Sequence, residues 1–600
     1  MKMLLKVLGG LVAAVVVLAV AAFVQVWYFR PLSIDIFFEK VFLKPVLEEP
    51  ELLSQLRILE PMGIDFHNDD LSDASVAHEL KQAARLRESL GHLQRYDRAA
   101  LDQTDAMSYD ILDWFLRNGA EGERWMFHDY PVNQMFGVQN SLPTFMLSIH
   151  QINDAEGARD YVARLEKFPA KFGQVIDGLK HRESIGVTPP KFTVEKVLDG
   201  MKKFIEPAPA EHVLYTNLKD KLDKVEGPGA DGKAAILAAG ETAVADAVYP
   251  AYRSLIAYFE HLDSVVTASS GVWALPDGDQ YYAWCVKNHT TLPLTPEQVH
   301  QTGLAEVARI EAEMDAILRE NGLAEGGVGA RLAKLAADPS QLYPDSDEGR
   351  AQAIADYAAM ITDIEKGLGQ YFALKPGIGV EVKRIEPFRE KTAPGAHYLS
   401  APRDKSRPAI FYINMRDMRE LYKFGMRTLA YHEAIPGHHF QIATAQDLEG
   451  LPTFRTLSLF TAYSEGWALY SERLAWEFGY HDDPLDNLGR LQAEMFRAVR
   501  LVVDTGLHHK RWTREQAIEY FLDKTGQPEG DAVAEIERYL VAPGQALAYK
   551  TGMMKIVELR EQLRQRQGGQ FDLKEFHTRV LGAGPMPLPV LEQRVLGGAS

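Results

Sequence analysis

His432-Glu433-Ala434-Ile435-Pro436-Gly437-His438-His439 is the stretch on which the reading of this chain turns. Before it, Arg416 to Tyr431 carries Leu421, Phe424, Leu429 and Ala430 on one apolar side, so a helix is expected to run into His432 and Glu433. A His-Glu pair entering a helix, with another His downstream, follows the ligand logic of the zincins. Two imidazoles hold zinc and the carboxylate takes a proton from the activated water. Here the usual spacing is broken, because the position four after His432 is Pro436. In an unbroken helix, at about 100° per residue, His439 returns to within ~20° of the His432 face and His438 lies ~120° away. But Pro436 removes an amide donor and collides with the carbonyl of His432, and Gly437 loosens the chain. A kink or bulge is therefore expected. One that absorbs two residues brings His438 to the second-ligand place, with His439 as the alternative.

A third ligand is expected from Thr461 to Leu474, which reads as a helix with Glu465 and Glu472 seven apart on one face. Glu465 lies 27 residues after His438, a separation that lets a second helix pack against the first, and Gly466 permits close approach. The expected set is His432, His438 and Glu465 around Zn2+, with Glu433 as general base. Glu472 is the weaker ligand candidate, free to pair with Arg473 or to orient a ligand. The bland reading is a chance His-Glu pair beside two exposed histidines, yet Pro-Gly-His-His inside an apolar helix is costly unless it serves something. Thiolate ligands are excluded. The single cysteine, Cys285, sits in Tyr281-Tyr282-Ala283-Trp284-Cys285-Val286 and reads as a packed small hydrophobe.

Outward from the motif, residues 31–375 follow helical periodicity, as in Ala77 to Leu90 and Leu304 to Leu318. Gly227-Pro228-Gly229, Pro276-Asp277-Gly278 and Gly322 to Gly329 punctuate them. Between Val380 and Met415 the pattern alternates, predicting strands at Val380–Ile385, Ala396–Leu399 and Ala409–Asn414. The fold class is therefore mainly α: residues 31–600 as one large helical domain with a small β-sheet near the active site.

At the N-terminus, Lys2 and Lys6 precede an apolar run from Val7 to Phe29, 23 residues broken only by Gln25. A helix of that length spans roughly 34 Å, enough for a bilayer. Trp27 and Tyr28 stand at its far end, where interfacial aromatics belong. Residues 1–30 are thus expected to form a transmembrane anchor holding the rest outside the cytoplasm. The rival is a signal peptide cleaved near Ala19-Val20-Ala21, and both readings export the remainder to the periplasm.

The motifs resemble those of the bacterial domain of unknown function 885. They are His432 to His438, Glu465-Gly466-Trp467-Ala468, Phe411 to Asn414, Asp504 to His508, Arg538-Tyr539 and Pro543 to Tyr549, concentrated within 380–560. Membership would imply a zincin-like, largely helical peptidase fold with a deep channel, similar to helical carboxypeptidases and dipeptidases.

Among accessory residues, His508, Tyr539 and Tyr549 are candidates for the oxyanion donor a metallopeptidase needs, His508 and Tyr549 foremost. Asp504, four before His508, is placed to orient that imidazole, and His509 reads as exposed. Tyr398 and Arg403 are weaker candidates for a substrate carboxylate, and Ala409 to Asn414 for pairing with an extended peptide.

Apolar content of 46% and charged content of 25% are globular values, sufficient for a core that holds a buried site. A net charge of −18 argues against nucleic acid as a partner. The expected activity is zinc-dependent hydrolysis of short peptides. The alternatives are a non-catalytic peptide-binding protein on the same fold, which would not need Glu433, and a metal-dependent amidase or esterase. Oligomeric state is not specified by the sequence.

Overall fold

Thr295 accepts a hydrogen bond from the amide of Gln298, whose side chain accepts one from the amide of Thr295. This capping box, with Pro296 in the first turn, starts a 25-residue helix that packs against Pro484–His508. The computed structural model describes residues 2–227, 229–266, 271–387, 390, 394–402, 405, 407–457 and 459–597, apart from the side chains of 2–7, 9–12, 15, 19, 22 and 61. Arg403 and Pro228 lie outside the described residues.

The chain divides into two units. Residues 1–269 with 452–454 form the first, an array of helices. The expected helix at Ala77–Leu90 is Val76–Leu93, capped by Ser75, whose hydroxyl accepts from the amide of His78. Phe168, Phe172, Tyr252, Leu255 and Phe259 are buried together in its core. The N-terminal run is helical over Lys2–Tyr28. Among the described residues, however, no helix is long and apolar enough to cross a membrane, so the expected anchor finds no support in the fold. Part of the Val7–Phe29 run has side chains outside those described.

The second unit comprises residues 270–451 with 455–600. Its helices that matter here are α1 (Pro296–Glu320), α2 (Asp347–Gly367), α3 (Lys423–Glu433), α4 (His438–Gln446), α5 (Thr461–Glu477), α6 (Pro484–His508), α7 (Glu529–Val541) and α8 (Ala548–Gln567). Strands β1 (Val380–Arg384), β2 (Ala396–Leu399) and β3 (Ala409–Ile413) form a sheet in the order β1-β3-β2, β3 parallel to β1 and antiparallel to β2. Phe411 of β3 packs edge-on against Tyr357 of α2, ring centroids 5.4 Å apart. Because β3 is central, both its edges are paired. The expectation that Ala409–Asn414 offers an edge to a peptide is corrected: among the described residues, the outer strands of the sheet are β1 and β2. Cys285 is buried, and burial pushes its thiol pKa up, as its aromatic surroundings implied.

The helix expected from Arg416 starts later. Asp417 accepts from the amide of Arg419 to cap a short 3-10 turn at Met418–Glu420, and α3 begins at Lys423.

Candidate metal centre

A kink or bulge was expected in the motif; the helix instead breaks. α3 ends at Glu433, and Ala434–Gly437 separates it from α4, which starts at His438. Pro436 has no amide hydrogen to donate, and its carbonyl accepts from Trp467 Nε1 at 2.8 Å and Ser471 Oγ at 3.1 Å, both on α5. Gly437 lies so close to α3 that a Cβ there would sit 1.9 Å from the carbonyl oxygen of His432. Only glycine fits that turn without moving the backbone that carries the first histidine.

The break brings three groups together. Glu465 Oε2 lies 3.6 Å from His432 Nε2 and 3.4 Å from His438 Nε2, and the two imidazoles stand at 89° with centroids 4.8 Å apart. All three ligand atoms fall within 4.8 Å of one another. Ligands bonded at ~2.0–2.1 Å to one tetrahedral ion would be separated by roughly 3.3 Å. The carboxylate distances therefore match a common ion, while Glu465 Oε2 itself has no hydrogen-bond partner. The side chains of His438 and Glu465 keep 13% and 20% of their exposure, so the cluster opens to solvent on that face.

The far side of His432 is closed. Its Nδ1 is 2.7 Å from Glu472 Oε1, so Nδ1–H donates there and the Nε2 lone pair faces Glu465 and His438. One helix thus supplies both carboxylates, two turns apart, and grips the ring between them. Burial acts to lower the pKa of His432, but Glu465 and Glu472 outweigh it and raise it to about 9. The carboxyl of Glu465 is buried yet held well below the usual range by the two histidines. In the metal-free chain the site thus stabilises positive charge between two carboxylates, the charge a divalent ion supplies, and the donor set suits zinc. Glu472→Gln should keep a hydrogen-bond acceptor for Nδ1 but lose the charge. Zinc affinity by chelator competition is expected to fall about 10–100-fold; an unchanged affinity would remove Glu472 from the centre.

His439 turns away. Its Nε2 donates to the Ile378 carbonyl at 3.1 Å, and Nδ1 accepts from Tyr398 at 3.2 Å. It therefore lies outside the cluster, and Tyr398 is spent on it. Glu433, at the end of α3, is half-buried and has no hydrogen-bond or ion-pair partner among the described residues. The backbones of α5 and α8 touch: a Cβ on Gly552 would sit 1.9 Å from the Ala462 carbonyl, and one on Gly466 2.5 Å from Gly552 Cα. This crossing brings Tyr549 within electrostatic reach of Glu465. Burial first, then the charge of Glu465, raises the pKa of the Tyr549 hydroxyl.

The other accessory expectations are corrected by geometry. Both ring nitrogens of His508 are taken, Nδ1 accepting from the amide of Val272 at 3.1 Å and Nε2 donating to the Tyr539 carbonyl at 3.0 Å. Burial lowers its pKa to about 4, and no donor remains for a substrate. The Tyr539 hydroxyl accepts from Arg500 Nε at 3.0 Å and donates to Glu535. Asp504 does not orient His508; it accepts from Tyr282 at 2.5 Å and from the amide of Gly544 at 3.1 Å. These residues tie α6 to α7 and to the start of α8. His509 is half-exposed and lies 3.2 Å from Glu297.

Burial raises the pKa of Asp504 to about 7, against the lesser opposing hydrogen bonds of Tyr282 and Gly544. A folded value above the unfolded ~3.9 means its contribution to stability is present below pH ~4 and lost as pH rises through about 7. Asp504→Asn keeps an acceptor without the buried charge. With chelator present, its Tm relative to the parent is expected to rise between pH ~4 and ~7 and then level; a pH-independent difference would refute the assignment.

Fold and site together define a mainly helical protein centred on two histidines and a carboxylate drawn from three consecutive helices. The chain belongs to the family described as bacterial protein of unknown function, DUF885, whose model matches residues 59–595. It is similar to the crystal structure of the "putative lipoprotein" from Colwellia psychrerythraea, with 37% identity and a TM-score of 0.89 over 94% of this chain and 98% of that one. A "putative lipoprotein of unknown function" from Shewanella oneidensis shares the fold at 20% identity and TM-score 0.72, over 94% of this chain and 100% of that one. No curated protein matches.

Proposed function

We propose that this chain is a zinc-dependent metallopeptidase of zincin-like architecture that hydrolyses short peptides outside the cytoplasm. The observation that carries the reading is the convergence of His432, His438 and Glu465 with an uncommitted carboxylate, Glu433, directly after the first histidine. A Zn2+ ion held by the three residues would supply Lewis acidity and lower the pKa of a water towards ~7. Glu433 accepts the proton of the attacking water and returns it to the leaving amine. Tyr549, across Glu465, donates a hydrogen bond to the carbonyl oxygen as charge develops on it. Glu472 holds the His432 ring in its working tautomer. Glu433 also weighs against the peptide-binding reading, since binding needs no base. An amidase or esterase would use the same groups.

The location rests on the names of the two structural relatives, both called lipoproteins, and on the basic-then-apolar N-terminus. The test is elemental analysis of the purified full chain followed by a peptide-library digest. About one zinc per chain and chelator-sensitive cleavage are expected. A metal-free chain, or zinc with no hydrolysis of any peptide, overturns the reading.

A further inference from the structure

Next to the centre, the arginines of α6 and α7 carry more positive charge than the carboxylates around them cancel. Arg497 makes one hydrogen bond, from Nη1 to the Ala493 carbonyl at 3.3 Å on its own helix, and has no carboxylate partner among the described residues. Its Nε is buried and unpartnered, although the side chain as a whole is only half-buried and open to solvent. Arg500, one turn further, donates from Nε to Tyr539 at 3.0 Å and from Nη2 to Glu535 at 3.1 Å, leaving Nη1 buried and unpartnered. Arg538 draws on the same Glu535 at 2.9 Å. Arg500 and Arg538 thus share one carboxylate while Arg497 has none among the described residues, and arginine does not shed its proton to relieve the imbalance.

The two arginines of α6 lie against aromatic rings. The Phe496 ring lies 5.3 Å from the Arg497 guanidinium and 4.2 Å from that of Arg500, and the Tyr549 ring lies 4.4 Å from Arg500. The charge of Arg497 acts on His432, a candidate metal ligand, and on Tyr549. Elsewhere in the unit, Arg309 and Arg490 pair with Glu494 and Arg560 with Glu477, whereas half-buried Arg594 makes its hydrogen bond to the Arg579 carbonyl. Leaving guanidinium N–H groups buried and unmet is costly, and the chain, with a net charge of −18, has carboxylates in excess. Of Arg497, Arg500 and Arg538, Arg497 lacks a carboxylate partner among the described residues and its side chain reaches solvent. A planar carboxylate matches the guanidinium fork.

We propose that Arg497, backed by Arg500, receives the C-terminal carboxylate of the substrate, so that the enzyme acts on peptides ending in a free acid, cutting near that end. This deepens the hydrolase reading and rests on it. An acidic side chain would offer the same chemistry, and the test separates the two sources. Pools of N-acetylated tetrapeptides are prepared as free acids, as amides, and as amides ending in glutamate, and kcat/KM is measured for the zinc-loaded full chain. The parent is expected to favour the free acids over the plain amides by about 10–100-fold, the range of a hydrogen bond between charged groups. Arg497→Gln should narrow that ratio to within about threefold, with Arg497→Lys intermediate. Equal use of acids and amides by the parent, or an undiminished ratio in Arg497→Gln, overturns the proposal. Preference for the glutamate amides over the free acids overturns the C-terminal source in favour of a side chain. The parent ratio stands as a test even where a variant fails to fold, which zinc content and circular dichroism report. If the parent hydrolyses nothing, the hydrolase reading has failed separately. Calorimetry with acetyl-tetraalanine as acid and as amide then decides the clamp: tighter binding of the acid supports it, equal binding overturns it.

Discussion

Glu433→Gln is expected to hold its zinc and to lose about 10²–10⁴-fold in turnover, the range of a positioned proton transfer. Glu433 is the last residue of α3 and follows His432 directly, so its side chain leaves the helix about 100° around from the first ligand. Under the proposed mechanism it would reach a water at the centre from there without occupying a coordination position. It is free to do so, because no hydrogen bond or ion pair engages it among the described residues, in contrast to Glu472, which is bound to His432. Glutamine preserves shape and volume and removes only the base, and the three ligands gain or lose no contact. Folding and metal content should therefore match the parent. Zinc analysis and turnover on one peptide that the parent cleaves make the comparison. Normal zinc with near-normal turnover would remove Glu433 from the mechanism and strengthen the reading as a peptide-binding protein.

What the sequence could and could not disclose follows from where each determinant lies. The convergence of His432, His438 and Glu465 was legible from local chemistry, since Pro436 and Gly437 turn the chain between the histidines and the Glu-Gly pair at 465 marks a helix packed at short range. The form of the break was not, because it depends on the Pro436 carbonyl being taken by Trp467 and Ser471, 31 and 35 residues away. Alternation located the three strands, but nothing local says that the last, β3, lies between the first two. His508 misled for a related reason. Its position four after Asp504 suggests a pair, yet the partners chosen by the fold are the backbones of Val272 and Tyr539. Arg497 and Arg500 are visible as a pair one turn apart, but what makes them notable is the lack, among the described residues, of a carboxylate partner for Arg497 and of any partner for one nitrogen of Arg500. That is a property of every neighbouring element at once. Apolarity of the Val7–Phe29 run suggested a membrane span, and among the described residues no helix meets that requirement.

Glu465→Gln and His432→Ala are each expected to empty the centre and abolish hydrolysis. Protein zinc sites draw on the order of 10–16 kcal/mol of apparent binding free energy from four ligands, so one ligand contributes ~3 kcal/mol, about 10²-fold or more in affinity. The loss at Glu465 should be the greater, because it is the only anion in a set whose other members are neutral imidazoles when they bind metal. Its removal also changes the competition with protons. With both carboxylates in place His432 has its pKa raised to about 9, so in the metal-free chain its protonation stabilises the fold fully below ~6.5, and that stability is lost as pH rises through about 9. Zinc must displace this proton at neutral pH, and the parent's affinity should climb about tenfold per pH unit towards pH 9. Glutamine at 465 takes away part of what raises that pKa, so its residual affinity should climb less steeply above neutrality while remaining lower throughout. A variant that merely unfolded would lose zinc without this change of slope. Zinc content by mass spectrometry and affinity by chelator competition from pH 6 to 9 read both effects, and full occupancy in both variants would sink the ligand assignment.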